Sequence, residues 1–284
     1  MEYSVEVIAL NTYPVKSLAG IAVNGIKLTQ TGLENDRYWM VIMPNGRFVT
    51  QRQIPAMARI NTRLDNHQLI LHAQGHPPAA VAAGDGSGLR RQVTVWRDQC
   101  IAVDEGDRIS RWLTEVLHSR HPLRLVRIDR EYPRPQSKPE LLGAHTSTCF
   151  ADAAPYLIAS TASLDALNKI LLSKQLHPVD MRRFRPNIVV RGLPAFAEHD
   201  IAFYHHVDGR YSFKNCYPCE RCIVTTIDQD SGAEDPAKQP FETLKELNPM
   251  PQRPQAPAFA DNATLEAGCG QTIRVGDQLV AVTA

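Results

Sequence analysis

Cys216, Cys219 and Cys222 stand three residues apart in Asn215-Cys-Tyr-Pro-Cys-Glu-Arg-Cys-Ile-Val-Thr-Thr-Ile-Asp228, and half of the chain's six cysteines fall in that run. A thiolate binds soft or high-valent metals and attacks as a nucleophile, and a guanidinium such as that of Arg221 favours the deprotonated sulfur. Structural zinc and the common iron–sulfur clusters need four ligands. No second Cys-x-x-Cys follows, Cys269 is distant, and His205-His206 lacks the paired spacing of a zinc site. Three inert buried thiols are the plain alternative. The pattern favours one working thiolate, Cys222, beside Arg221.

Cations and polar groups recur where the sequence leaves or enters strands. Tyr13-Pro-Val-Lys-Ser17 puts Lys16 and Ser17 just after the first strand, and Asp36-Arg37 opens a hairpin. Phe184-Arg-Pro-Asn-Ile188 puts Arg185 and Asn187 at a strand entrance, since the residue before a proline favours extended backbone. Singly, each reads as a loop salt bridge. Together with Arg221-Cys222 they offer a hydroxyl, an amide and several cations, a set able to hold a phosphorylated or pterin-like cofactor beside a thiolate. Met181-Arg-Arg-Phe-Arg-Pro186 adds three arginines in five positions, which suits an anion of limited size. Asp228-Gln-Asp-Ser-Gly232 begins like a calcium loop, but its glycine is fifth and no glutamate follows at the twelfth place, so it reads as a turn. The nucleotide, serine-hydrolase and zinc-protease signatures are missing, which argues against those classes together.

The elements that must position these residues are mostly strands. Tyr38 to Gln51 is a hairpin turning at Pro44-Asn-Gly46, and Leu64 to Leu71 is a second turning at Asp65-Asn66. Gly75 to Leu89 reads as a surface loop, and Ile109, Trp112, Leu113, Val116 and Leu117 recur at helical spacing. Further strands are expected at Val93–Trp96, Cys100–Val103, Leu123–Ile128, Tyr156–Ser160, Asn187–Val190, Arg210–Phe213, Cys222–Ile227 and Leu279–Val282, with helices from Ser163 and around Phe241–Leu247. Strands seldom alternate with helices, which predicts a mixed, mainly β (α+β) fold of two β-barrel-like domains. A proline-rich linker over 129–142 separates 1–128 from 143–284. Lys plus Arg number 31 against 30 Asp plus Glu, so no basic field points to nucleic acid. No apolar run approaches the roughly 20 residues of a membrane helix. The acidic, strand-like start predicts a cytoplasmic protein, in which a tight cysteine cluster serves metal binding or catalysis.

These segments, in this order, resemble the MOSC superfamily, and in particular its two-part members with an N-terminal β-barrel and a C-terminal MOSC domain. The matching stretches are Tyr13-Pro-Val-Lys-Ser17, Asp36-Arg-Tyr-Trp39, Val49-Thr-Gln-Arg-Gln53, Phe150-Ala-Asp-Ala-Ala-Pro155, Phe184-Arg-Pro-Asn-Ile188, Cys219-Glu-Arg-Cys-Ile-Val-Thr-Thr-Ile-Asp228 and Ile273-Arg-Val-Gly-Asp277. The family includes the amidoxime-reducing components of mitochondria. The resemblance implies a molybdenum cofactor (Mo-molybdopterin) with Cys222 as the metal ligand and Cys219 in the first position of Cys-x-Arg-Cys. It implies Lys16, Ser17, Arg37, Arg185, Asn187 and Arg221 along the pterin and its phosphate, and Asp152 as a polar group near the metal. The activity implied is reduction of small N-hydroxylated compounds. The sequence stops at Ala284 without a ferredoxin pattern, so the electrons are expected from a separate flavoprotein reductase or ferredoxin. The membrane segment of the eukaryotic relatives is likewise not seen, and Cys216 lies outside the pattern. Two other readings keep the same thiol: a persulfide carrier for metal–sulfur assembly, and a non-catalytic carrier of the cofactor.

Overall fold

Burial alternates along Glu2–Thr12, with Val5, Val7 and Leu10 inside, as a strand with one face on a core requires. A computed structural model describes the chain except residues 66–67, 83–87, 133, 135–137 and 144–145. In it this first strand lies between Ile188–Arg191 and Gln278–Thr283, antiparallel to both. The sheet continues through Ile201–His206, Ser212–Glu220 and Arg253–Ala267 to Tyr156–Ser160. Tyr156–Ser160 then pairs in parallel with Ile188–Arg191, which closes a seven-stranded barrel. Val5, Tyr156, Ile158, Tyr204 and Phe213 belong to its core.

The second β unit is a curled half-barrel sheet of Trp39–Ile42, Arg124–Ile128, Asp98–Asp104 and Arg90–Val95. The helix Asp107–Val116 buries Ile109 and Leu113 in its core. The mainly β fold expected from the sequence is therefore present, with α-helices at Asp107–Val116, Pro139–Leu142, Thr161–Ser173 and Phe241–Leu247 among the described residues. No described helix is long and apolar enough to cross a membrane.

The layers do not divide where the sequence halves do. Leu10, Leu28 and Leu33 pack in the barrel core, whereas Val15, Leu18, Tyr38 and Phe150 pack in the other. The chain thus passes between the cores after Leu10, after Leu18, after Leu33 and after Phe150. The backbone is irregular around residues 15–18 and in the passages after Leu33 and after Phe150, and these stretches hold Lys16, Ser17, Arg37 and Asp152.

Several local expectations change. Ile223–Thr226 is a 3-10 turn rather than part of a strand over 222–227. The hydroxyls of Thr225 and Thr226 donate to the carbonyls of Cys222 and Ile223, at 3.0 and 2.8 Å, so these β-branched residues close a turn on themselves. Ala79–Ala82 is a strand inside the stretch expected to be loop. Arg253–Ala267 carries two prolines and no alternation, because it is buried on both sides over most of its length. The hairpin turn at Asp65-Asn66 and parts of the 75–89 loop and the 129–142 linker fall outside the described residues.

Gly32 marks how tightly the passages are packed: its φ is +126°, and a Cβ there would lie 2.8 Å from the Pro155 carbonyl oxygen. Gly75 has φ +80° with open space around it. Gly32→Ala is expected to destabilise the protein by about 1–3 kcal/mol, beyond the effect of Gly75→Ala. Urea unfolding of both variants checks this, and equal losses would mean that Pro155 yields freely.

Candidate active site

The passages and two loop ends converge on one cleft between the β units. Lys16, Ser17, Arg37, Asp152, Arg185, Asn187, Arg221 and Cys222 all line it, joined by Thr50, Arg52 and Cys219. Three of these residues hold left-handed backbone: Ser17 at φ 67°, Arg37 at 46° and Arg185 at 55°. Such conformations persist only where the surroundings over-determine them. Here Gln51 Nε2 donates to the Ser17 carbonyl at 2.9 Å, the Arg37 N–H donates to the Tyr13 carbonyl at 2.8 Å, and Arg37 Nη2 donates to the Arg185 carbonyl at 3.1 Å.

Tyr13 is clamped between two guanidinium groups, with Arg37 Cζ 4.2 Å and Arg185 Cζ 4.3 Å from its ring centroid. The buried Asp36 carboxylate accepts from Arg37 Nη1 at 2.6 Å and from the Tyr13 N–H at 2.8 Å. Arg185 has no carboxylate partner among the described residues. Burial pushes its pKa down to about 10, with the Tyr13 phenol opposing and the charge on Arg37 adding. Its Nη1 reaches the Leu18 carbonyl at 2.8 Å, while Nη2 is buried without a partner.

Lys16, 4% exposed, donates to Asp152 Oδ1 at 2.6 Å and to the Phe150 carbonyl at 2.8 Å. Burial lowers the Lys16 pKa to about 8 against the pull of Asp152. Burial would raise the Asp152 carboxyl, but the charge and hydrogen bond of Lys16 hold it well below the usual carboxylate range. The Asp152 side chain is 58% exposed, so water screens part of this attraction.

The cysteines sort differently from the expectation. Arg221 Nη1 donates to Cys219 Sγ at 3.0 Å, whereas Cys222 Sγ accepts from Arg52 Nη2 at 2.9 Å. In extended backbone residues two apart share a side and neighbours face opposite ways, so Arg221 sides with Cys219 rather than Cys222. Burial pushes the Cys219 thiol up, against the neighbouring Arg221. Cys216 turns toward Thr264 Oγ1, 3.8 Å away, and does not line the cleft. The arginine cluster also disperses. Arg182 pairs with Asp180 and Asp230 and Arg183 with Asp228, which leaves only Arg185 in the cleft. The side chain of Asn187 is taken at both ends, Oδ1 by the Leu157 N–H at 3.2 Å and Nδ2 by the Asn11 carbonyl at 3.2 Å. It braces the strand entrance.

A thiol under a guanidinium and a group of partly unpaired cations in one cleft suit a ligand that carries both a soft metal and an anionic group. Among known domain families, residues 4–120 match the MOSC N-terminal beta barrel domain and residues 145–280 the MOSC domain. The chain belongs to the MOSC family. This MOSC protein is 33% identical over 242 residues to mitochondrial amidoxime reducing component 2 of Rattus norvegicus, spanning 82% of this chain and 69% of that one. It is 32% identical over 277 residues to mitochondrial amidoxime-reducing component 1 of Homo sapiens, spanning 93% and 79%. Among solved structures, the YUAD protein from Bacillus subtilis covers 100% of the MOSC chain at 9% identity, with 98% of its own length matched. Its TM-score of 0.44 is too low to carry an argument.

The site of this MOSC protein has two members that the sequence reading passed over. Arg52 sat within the quoted Val49-Thr-Gln-Arg-Gln53, so that segment was its signal. Trp96, at a hairpin tip, meets the cleft through two of its lining residues, donating from Nε1 to Asp152 Oδ1 at 2.7 Å and lying under Arg52, and only the fold brings it there.

Lys16 makes a pH-dependent contribution with a definite sign. Below pH about 8 it is charged whether the chain is folded or not; between about 8 and its ordinary 10.5 only the unfolded chain keeps the proton. Stability from this group therefore rises with pH across that window. Urea midpoints at pH 8 and pH 10 should show wild type gaining relative to Lys16→Met. Parallel behaviour of the two proteins would show that Lys16 is not the source.

Proposed function

We propose that this protein is a molybdenum-cofactor-dependent reductase of N-hydroxylated compounds, supplied with electrons by a separate protein. The observation that carries this is the meeting of Arg185 and Arg221, each with a buried guanidinium nitrogen that has no partner among the described residues, in the same cleft as the Cys222 thiol. Buried donors left unpaired are costly, and an anion with several oxygens relieves them. The donor set therefore fits a phosphate-bearing pterin. Cys222 would ligate the metal, and Lys16, Ser17, Arg37, Arg185 and Arg221 would surround the anionic part, with Asn187 fixing the strand entrance beside them. Bound there, the cofactor supplies two-electron redox chemistry.

The chain's own residues do the remaining work. Arg52 fixes the direction of Cys222 Sγ. Lys16 and Trp96 both occupy Asp152 Oδ1, which leaves Oδ2 to accept an N–H or O–H of the substrate. The over-determined passages hold the cations in place before any ligand arrives. Converting N–OH to N–H with loss of water takes two electrons and two protons. The sequence offers no cluster, flavin or nicotinamide fingerprint, so the donor we propose is a flavoprotein reductase, with or without a small ferredoxin.

Metal and pterin analysis of protein from a cofactor-producing host tests the assignment. Cys222→Ser should lose molybdenum and Cys216→Ser should keep it; equal molybdenum in wild type and Cys222→Ser would end the proposal. A charge-assisted contact is worth roughly 1.5–3 kcal/mol, so Arg185→Ala should weaken pterin retention about tenfold or more. With benzamidoxime, NADPH alone should give no turnover, and reduced methyl viologen should start it. Sustained reduction by NADPH alone would mean that the chain carries its own electron-entry site.

A further inference from the structure

The hairpin joining Arg90–Val95 to Asp98–Asp104 turns on two residues, Trp96 and Arg97. Trp96 takes the first place with φ 56°, a conformation suited to glycine or asparagine and strained for a bulky aromatic. The indole is not tucked into a core: the residue is 48% exposed. It is nevertheless held in place. Nε1 donates to Asp152 Oδ1 at 2.7 Å, Arg52 Cζ lies 4.8 Å from the ring centroid, and Phe48 meets it edge-on at 5.2 Å. Arg52 in turn touches Cys222 Sγ at 2.9 Å, and Asp152 holds Lys16 at 2.6 Å. A strained, half-open indole thus stands one residue from the working thiol on one side and one residue from the buried lysine on the other.

We propose that Trp96 is a specificity-determining residue of this site, a stacking surface that, with Asp152 Oδ2 beside it, selects flat conjugated substrates bearing N–H or O–H donors. This rests on the N-hydroxylated substrate class given above and adds a preference within it. An aromatic face gains from offset stacking with another conjugated plane, and a small saturated substituent forgoes that gain. Asp152, held ionised by Lys16, is an acceptor only, so it takes a donor head group from whatever lies against the ring. Docking of the substrate's flat part on Trp96 would leave its head group beside Asp152, one residue from Cys222 through Arg52. The strained turn keeps the ring at the rim, where a relaxed residue would leave only backbone.

Two probes separate ring recognition from head-group recognition, because benzamidoxime and acetamidoxime share the amidoxime and differ in the aromatic ring. Their binding to the full-length protein is measured by calorimetry, with molybdenum content recorded in parallel. Wild type should prefer benzamidoxime. Trp96→Ala should weaken benzamidoxime roughly three- to tenfold and leave acetamidoxime unchanged, and Trp96→Phe should keep most of the preference. Trp96→Gly relaxes the turn and gives the same comparison in a chain suited to that backbone. Undiminished benzamidoxime binding in both small variants, equal loss of both probes, or no benzamidoxime binding by wild type would overturn the inference. Binding is read without turnover, so a protein that bound no molybdenum would fail the functional proposal while still answering this one.

Discussion

The Tyr13 ring, held between the guanidinium groups of Arg37 and Arg185, ties the two β units together where the chain passes between them. Two like charges against one ring repel, and the arrangement holds for two reasons. The ring faces attract both cations, and buried Asp36 neutralises Arg37 from behind. Arg185 is left without that compensation, and its lowered pKa and unpartnered Nη2 are the consequence. The positive character of the cleft therefore follows from how the layers are joined. Removing Tyr13 or Asp36 would remove both the joint and the charge arrangement.

That joint exists because the first strand is placed in the barrel between strands drawn from the second half of the chain. Once Glu2–Thr12 is fixed there, the irregular segments around Lys16, after Leu33 and after Phe150 run between the cores. Irregular backbone in such a place needs hydrogen-bond partners, and the passages find them in one another: the Lys16 N–H donates to the Trp39 carbonyl, the Phe150 N–H to the Arg37 carbonyl, and Lys16 Nζ to the Phe150 carbonyl. The contacts that satisfy the backbone are the same contacts that aim the cations. Positions such as Ser17, Arg37 and Arg185 can then sit in left-handed backbone without relaxing.

Much of this was legible where the physics is local. The start is strand-like in its residues, helical spacing marks Asp107–Val116, and the polar residues between strands stand out because such groups have few structural duties. The long strand Arg253–Ala267 was not legible, since a strand buried on both sides loses its alternation and its prolines read as breaks. Arg221 partners Cys219 and not Cys222 for a simpler reason: extended backbone turns sequence neighbours apart, so adjacency in sequence is not adjacency in space. Arg52 and Trp96 come from loops of the half-barrel, and their place beside Cys222 and Asp152 is set by the docking of two sheets, which no short window of sequence encodes.

The two walls of the cleft are also chemically unlike, and this constrains what can bind well. The barrel contributes Cys219, Cys222, Arg185 and Arg221, while the passages and the half-barrel contribute Lys16, Arg37, Arg52 and Asp152. An inorganic anion would satisfy the unpaired guanidinium nitrogens and ignore the thiol, and a bare soft metal would do the reverse. A single ligand carrying both groups meets the thiol and the guanidinium groups together, and its second contact forms at high effective concentration once the first is made. Such a ligand also bridges the two β units, so its binding would add to the stability of the joint itself. The pairing of a thiol with guanidinium groups in one cleft, rather than either feature alone, is what supports the cofactor proposed for it.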